Sequence, residues 1–294
     1  MVLLLGACTL DESPTEIEIA TPDEPLPVDL RAGDVVRLQD LALEVPAAGE
    51  AVTLFADGAD GSHVELTLVN RDGIVELLSD DAAELEPVII AASSTAACHD
   101  GAFHLSGHKW TTEYQWMFAA GTTPSANSRD NVETALVHAA NAIVNSRNDC
   151  GLADIVSATT RYLGRTASKP NIPATTSTVS CGTRDNTSSV GFGGLPTTYL
   201  GVACTWTDGN GHALEGDVKL STRHAWFALD VPASCSNRFG VQAVATHEFG
   251  HVFGLGHVSE ANHPKLTMST AAAACSNAPY TLGLGDVRAL RQLY

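Results

Sequence analysis

The sequence predicts an α+β fold, with strands and helices layered around a core and a small β-rich module in front of them. Three observations predict it. Short runs alternate apolar and polar residues and are broken by turn signals at Asn70-Arg71-Asp72-Gly73 and Asp208-Gly209-Asn210-Gly211. Two longer runs place apolar residues at helical spacing, after Asp130 and after Gly240. The charge also changes abruptly near residue 100. The net charge of the 294 residues is −18; residues 1–100 hold 21 acidic and 3 basic side chains, and residues 101–294 hold 13 of each. With 44% hydrophobic and 17% charged residues the chain is globular rather than disordered. Its acidity argues against nucleic acid, or a bare anionic membrane surface, as an electrostatic partner.

Four segments follow in order. Residues 1–8 hold an apolar run ending Leu5-Gly6-Ala7-Cys8. This resembles the end of a bacterial lipoprotein signal, in which Cys8 would take the lipid; the basic n-region of a full signal is missing. The resemblance implies export and anchoring to the outer face of a bacterial membrane, with membrane contact only through the lipid. Residues 9–30 are acidic and carry Pro14, Pro22, Pro25 and Pro27, the pattern of an extended tether. Residues 31–95 are expected to form the small acidic β-rich module, with a hairpin from Val64-Leu66-Leu68 through Asn70–Gly73 to Ile74–Leu78. It can be read as an inhibitory propeptide, a spacer or a binding module. Asp57-Gly58-Ala59-Asp60-Gly61 makes calcium conceivable there, but EF-hand spacing is absent.

Residues 96–294 form the expected catalytic unit. A strand is expected between Trp110 and Phe118, then a helix to about Asn148 opened by the capping pair Asp130 and Glu133. Residues 165–188 read as a long loop, and residues 199–207 and 213–221 as paired strands. A second helix is expected from Gly240 to Phe253 and a last one from about Gly285. With Cys8 set aside, Cys98, Cys150, Cys181, Cys204, Cys235 and Cys275 remain. An even number without any CxxC pair favours disulfides formed outside the cell. Pairing in chain order gives Cys98–Cys150, Cys181–Cys204 and Cys235–Cys275, one of 15 connectivities.

The chemistry concentrates in His247-Glu248-Phe249-Gly250-His251-Val252-Phe253-Gly254-Leu255-Gly256-His257. Residues i and i+4 share one helix face, so His247 and His251 can aim at a single zinc about 2.0–2.1 Å away. Glu248 lies about 100° around the helix, beside the open side of the metal. Gly254 can take the positive φ that stops the helix and brings back His257 as third ligand. Zinc would lower the pKa of a water to about 7 and polarise a carbonyl, and Glu248 would carry the proton to the leaving amine. No nucleophilic Ser or Cys is needed.

These residues resemble the metzincin metalloendopeptidases, and Leu266-Thr267-Met268-Ser269 is similar to the family's Met-turn. Among metzincins the matrixins are most similar. Their terminal helix resembles residues 282–294, with Asp286 where matrixins place an Asp that braces the Met-turn. Astacins and serralysins fit less well, because Thr270 and not Tyr stands two residues after Met268. Over roughly residues 105–294 the resemblance implies a twisted, mostly parallel sheet over helices and a smaller C-terminal subdomain. It implies one catalytic zinc held by His247, His251 and His257, catalysis by Glu248, and support from Gly254, Met268 and Asp286. It further implies a protein or peptide substrate paired with an edge strand, taken as residues 214–220. Two family features are missing: a structural-zinc set, which His212, Asp217 and His224 do not assemble, and the Pro-Arg-Cys-Gly latency segment. A thiolate switch at Cys98-His99-Asp100 is the weaker alternative to a disulfide. The rival function is a surface-anchored lipoprotein whose N-terminal module binds a partner or wall polymer, with the zinc domain secondary.

Overall fold

The structure, a computed structural model, describes residues 14–79, 97–276, 278 and 280–294. The lipid-site Cys8 and the acidic stretch at 80–86 lie outside them. The chain forms strands β1 (Glu16–Ile19), β2 (Val35–Leu38), β3 (Leu41–Glu44), β4 (Glu50–Gly58), β5 (His63–Arg71) and β6 (Ile74–Ser79). Strands β7 (His104–Leu105) and β8 (Tyr114–Phe118) lead into helix α1 (Arg129–Val144). Then come β9 (Thr160–Arg165), β10 (Val179–Cys181), β11 (Ser189–Gly193), β12 (Tyr199–Asp208), β13 (Ala213–Ser221), β14 (Ala225–Phe227) and β15 (Arg238–Gly240). Helix α2 (Val241–Val252), strand β16 (Leu255–Gly256) and helix α3 (Leu284–Leu293) close the chain. No described helix is long and apolar enough to cross a membrane.

The main sheet has eight strands in the order β6-β5-β4-β12-β13-β11-β8-β9. As a whole it is mixed, although its strands from residues 105–294 are mostly parallel, as expected. The pairs from β13 to β9 are parallel, and those from β6 to β13 are antiparallel. The strands expected to form a separate module therefore continue the same sheet, with β4 lying along β12. A second sheet, β1-β2-β3-β10, also joins the two parts of the chain, since β10 pairs with β3. The tether expectation is corrected by β1. Glu16-Ile17-Glu18-Ile19 alternates polar and apolar residues, pairs with β2 and buries Ile19.

Strand alternation sorts two cores. Val52, Leu54 and Ala56 of β4 and Val202, Cys204 and Trp206 of β12 face the four-stranded sheet. Phe55 and Ala203 face the opposite way, toward the helices, in a core with Tyr114, Leu136, Ile143, Phe249 and Val287. All four tryptophans are buried core residues. The β5–β6 hairpin turns through Asp72 and Gly73 at φ 54° and 92°, the two-residue turn whose twist suits paired strands. Helix α1 is capped by Ser128, which accepts from the Asn131 amide; Asp130 and Glu133 instead bind Arg165 from β9. The capping-pair expectation is corrected on that point, because a side chain from another element claims both carboxylates.

The disulfides are Cys98–Cys150, Cys181–Cys204 and Cys235–Cys275, with Cα separations of 5.1, 5.8 and 5.7 Å. Cys98 is thus not a free thiolate. Residues 214–220 are not an edge strand: β13 is paired on both sides, with β12 and β11. The strand that borders the catalytic half is β12, and β4 covers its outer edge.

Candidate metal centre and substrate cleft

Helix α2 runs beneath β12 and is buried along its whole length. Its last carbonyls are satisfied from elsewhere. His108 Nε2 lies 3.0 Å from the His251 carbonyl, Trp110 Nε1 donates to Val252 at 2.9 Å, and the Tyr294 hydroxyl donates to Phe253 at 3.0 Å. His108 is therefore a buried helix-end partner. Gly254 then turns at φ 90°, where a Cβ would strike the His108 carbonyl. The chain doubles back through β16, paired with β7, and delivers His257.

The structure brings His247, His251 and His257 together. Nε2 of His247 and of His251 are 3.0 Å apart. Nδ1 of each is committed outward, to the Thr267 carbonyl at 2.7 Å and the Leu255 carbonyl at 2.8 Å. A donating Nδ1–H leaves the Nε2 lone pair facing inward, the arrangement a metal requires. Burial pushes His251 down to about 3, and burial lowers His257 despite the nearby Asp57. Both shifts favour the neutral, ligating imidazole. Burial acts to lower His247 too, but Asp57, the Thr267 carbonyl and Asp286 together raise it.

Thr267 and Met268 lie beside the histidine cluster and are held by Asp286. Asp286 accepts from the Thr267 amide at 2.9 Å, the Met268 amide at 3.2 Å and the Gly283 amide at 2.8 Å. A chain of contacts thus runs from Asp286 through Thr267 to the His247 ring. Met268 is buried, with Sδ against Gly250, one turn along α2 between the two histidines. Glu248 is fully buried and neither carboxylate oxygen has a hydrogen-bond partner. It fits only because β12 offers Gly201 at that point, where a Cβ would collide with the carboxylate. Burial first, and the charge of Asp57 second, hold its carboxyl well above the usual range.

Sequence reasoning missed the fourth member of the site. Asp57 of β4 reaches the same centre: Oδ1 is 2.5 Å from His257 Nε2 and 3.3 Å from His247 Nε2, and Oδ2 is 3.4 Å from His251 Nε2. Burial alone would raise this carboxyl, yet His257 and His247 hold it well below the usual carboxylate range. Among the described residues these four form the one group of donors able to hold a metal, all within 4.8 Å of one another. Three nitrogens and an oxygen suit zinc, and a tetrahedron with bonds of about 2.0–2.1 Å has edges of about 3.3 Å. The 3.0–3.4 Å separations of His247, His251 and Asp57 lie near that value, and His257 stands closer to Asp57, at 2.5 Å. The orphaned His257 Nδ1, Asp57 Oδ2 and Glu248 oxygens mark a polar site whose partners a metal and its surroundings would supply.

Two other strand residues line the centre. The Phe55 ring stacks on His251 at 4.1 Å and 11°, and His63 of β5 meets His257 edge-on at 4.6 Å. The signal for β4 was present in Ala51-Val52-Thr53-Leu54-Phe55-Ala56, a near-continuous apolar run that marks a strand buried on both faces. A lone Asp closing such a run is unusual for a surface loop, and the calcium reading of Asp57 is replaced by this placement. The residues considered for a structural zinc do not converge. His212 bonds Asp208, Asp217 accepts from the Ser189 and Asn171 amides, and His224 packs on Phe239. His263 pairs with Asp100.

A small cavity of about 30 Å³ lies beside Glu248 and is lined by Leu200, Val244, His247, Thr267 and Ala271, among others. It is large enough to hold a water. No curated protein matches the chain. The matrixin family model matches residues 180–294, which include β12, the whole of α2, the three histidines, Met268 and α3. Over residues 180–294 the chain is thus similar to the matrixins, a zinc metalloprotease family, and the match supports a matrixin-like metzincin in that part of the chain.

Proposed function

We propose that the protein is a zinc-dependent endopeptidase that cleaves exported or extracellular proteins. The observation that carries the reading is the convergence of three imidazoles on one point, with the buried Glu248 beside them. His247, His251 and His257 would hold the zinc, which when bound polarises a scissile carbonyl and acidifies water. Glu248, desolvated and without a fixed partner, is placed to accept a proton and return it to the leaving amine. Thr267 and Leu255 fix the two helix imidazoles, and Asp286 fixes Thr267. Strand β12 would align an extended peptide by main-chain pairing, which selects unfolded or loop segments rather than one side chain. Three disulfides fit an oxidising exterior, and Leu5-Gly6-Ala7-Cys8 supports a lipid anchor there.

The test is cleavage of casein and a peptide library by the zinc-loaded chain, before and after limited trypsin treatment and trypsin inhibition. Arg71, at the exposed β5–β6 turn, offers a cut in the strands that cover β12. Hydrolysis that stops with a chelator is expected. Glu248→Gln should retain zinc and lose roughly 10²–10⁴-fold in rate. Equal activity in Glu248→Gln, or activity indifferent to the chelator, would contradict the reading.

A further inference from the structure

We propose that Asp57 is the fourth protein ligand of this metal and that its strand keeps the chain latent by occupying the substrate edge; this rests on the peptidase reading above. Alternation along β4 puts Phe55 and Asp57 on one face, two residues apart. That face meets the histidines: Phe55 covers the His251 ring while the Asp57 carboxylate lies among all three Nε2 atoms. The ion-pair partners of Asp57 are those three histidines. A buried carboxylate whose ion-pair partners are imidazoles, with the Glu248 carboxyl close by, is costly unless a cation is shared among them.

The backbone gives a second, independent argument. From Glu50 opposite Asp208 to Gly58 opposite Tyr199, β4 runs antiparallel along β12, with Asp57 opposite Gly201. An extended substrate would need the same row of donors and acceptors. The β4–β5 tip continues over the site, with Gly61 against Ala271 and His63 against His257. The small cavity beside Glu248 has Asp57 and Gly58 of β4 in its wall. Because strand and site belong to one chain, an incoming peptide competes with a high effective concentration of β4. Cys98, tied to Cys150, leaves no thiolate there to play this part. Release of β4 from β12 would vacate both the fourth position and the peptide-binding edge.

The experiment titrates acetohydroxamate, a small metal-directed chelating probe, into the zinc-loaded full chain, Asp57→Ala and Asp57→Asn. Asp57→Asn keeps the shape of the side chain and covers the case in which Asp57→Ala does not fold. Cobalt-substituted protein gives a visible spectrum that reports coordination without any activity. Acetohydroxamate should bind the Ala variant roughly 100-fold more tightly than wild type, because it no longer displaces a resident group. The variants should also hold zinc about 10-fold less tightly, and the wild-type cobalt spectrum should be unmoved by probe levels that shift the variant's. Equal acetohydroxamate affinity in zinc-loaded wild type and variants would overturn the assignment and leave the peptidase reading intact. A wild-type chain that binds no zinc would overturn both.

Discussion

Asp286 shows how one side chain can hold a site it never touches. Its carboxylate takes three backbone N–H groups, and one of those residues, Thr267, supplies the carbonyl that orients His247. Asp286→Ala should cost about 3 kcal/mol in a denaturant titration, from donors left unpartnered in a buried site. It should also weaken zinc binding roughly 10–100-fold in a chelator competition, as loss of a supporting partner does. A destabilised variant with unchanged zinc affinity would separate the brace from the metal. The histidines, Glu248 and Gly254 were legible in the sequence because their relation is local, fixed by helix periodicity and one turn. Asp57 was not, because its place depends on the register between β4 and β12, residues some 150 positions apart along the chain. The fit of Glu248 under Gly201 is hidden for the same reason.

At the scale of elements, all three helices and the strands β5, β6, β8, β12 and β13 follow from pattern, while β10 (Val179–Cys181) lies inside residues 165–188, expected to be a loop, and becomes a strand by pairing with β3. Residues 199–207 and 213–221 alternate alike, so nothing local says which one borders the sheet. The four-residue β1 was concealed by the prolines and charges that surround it, though its alternation is plain. The Cys181–Cys204 disulfide is the clearest mechanical link, because it joins β10, and through it β3, to β12. Replacing both cysteines by serine should cost about 3 kcal/mol by the loop-closure relation for their separation. Chemical denaturation of the two proteins under oxidising conditions measures this. No change in midpoint would mean that the strand pairing alone carries the junction.

For the whole molecule, the break in charge near residue 100 does not coincide with a break in the sheet. The acidic first third contributes β4, β5 and β6 to the same eight strands that carry the metal site. The candidate metal centre therefore draws on both parts of the chain, with Asp57 from the first and, from the second, the three histidines proposed to hold one metal. Native mass spectrometry of the zinc-loaded chain, beside Glu248→Gln and His257→Ala, tests that claim most directly. One zinc per chain is predicted in wild type and Glu248→Gln, with its loss from His257→Ala after dialysis against a mild chelator. Zinc absent from the wild type, or retained unchanged in His257→Ala, would contradict it.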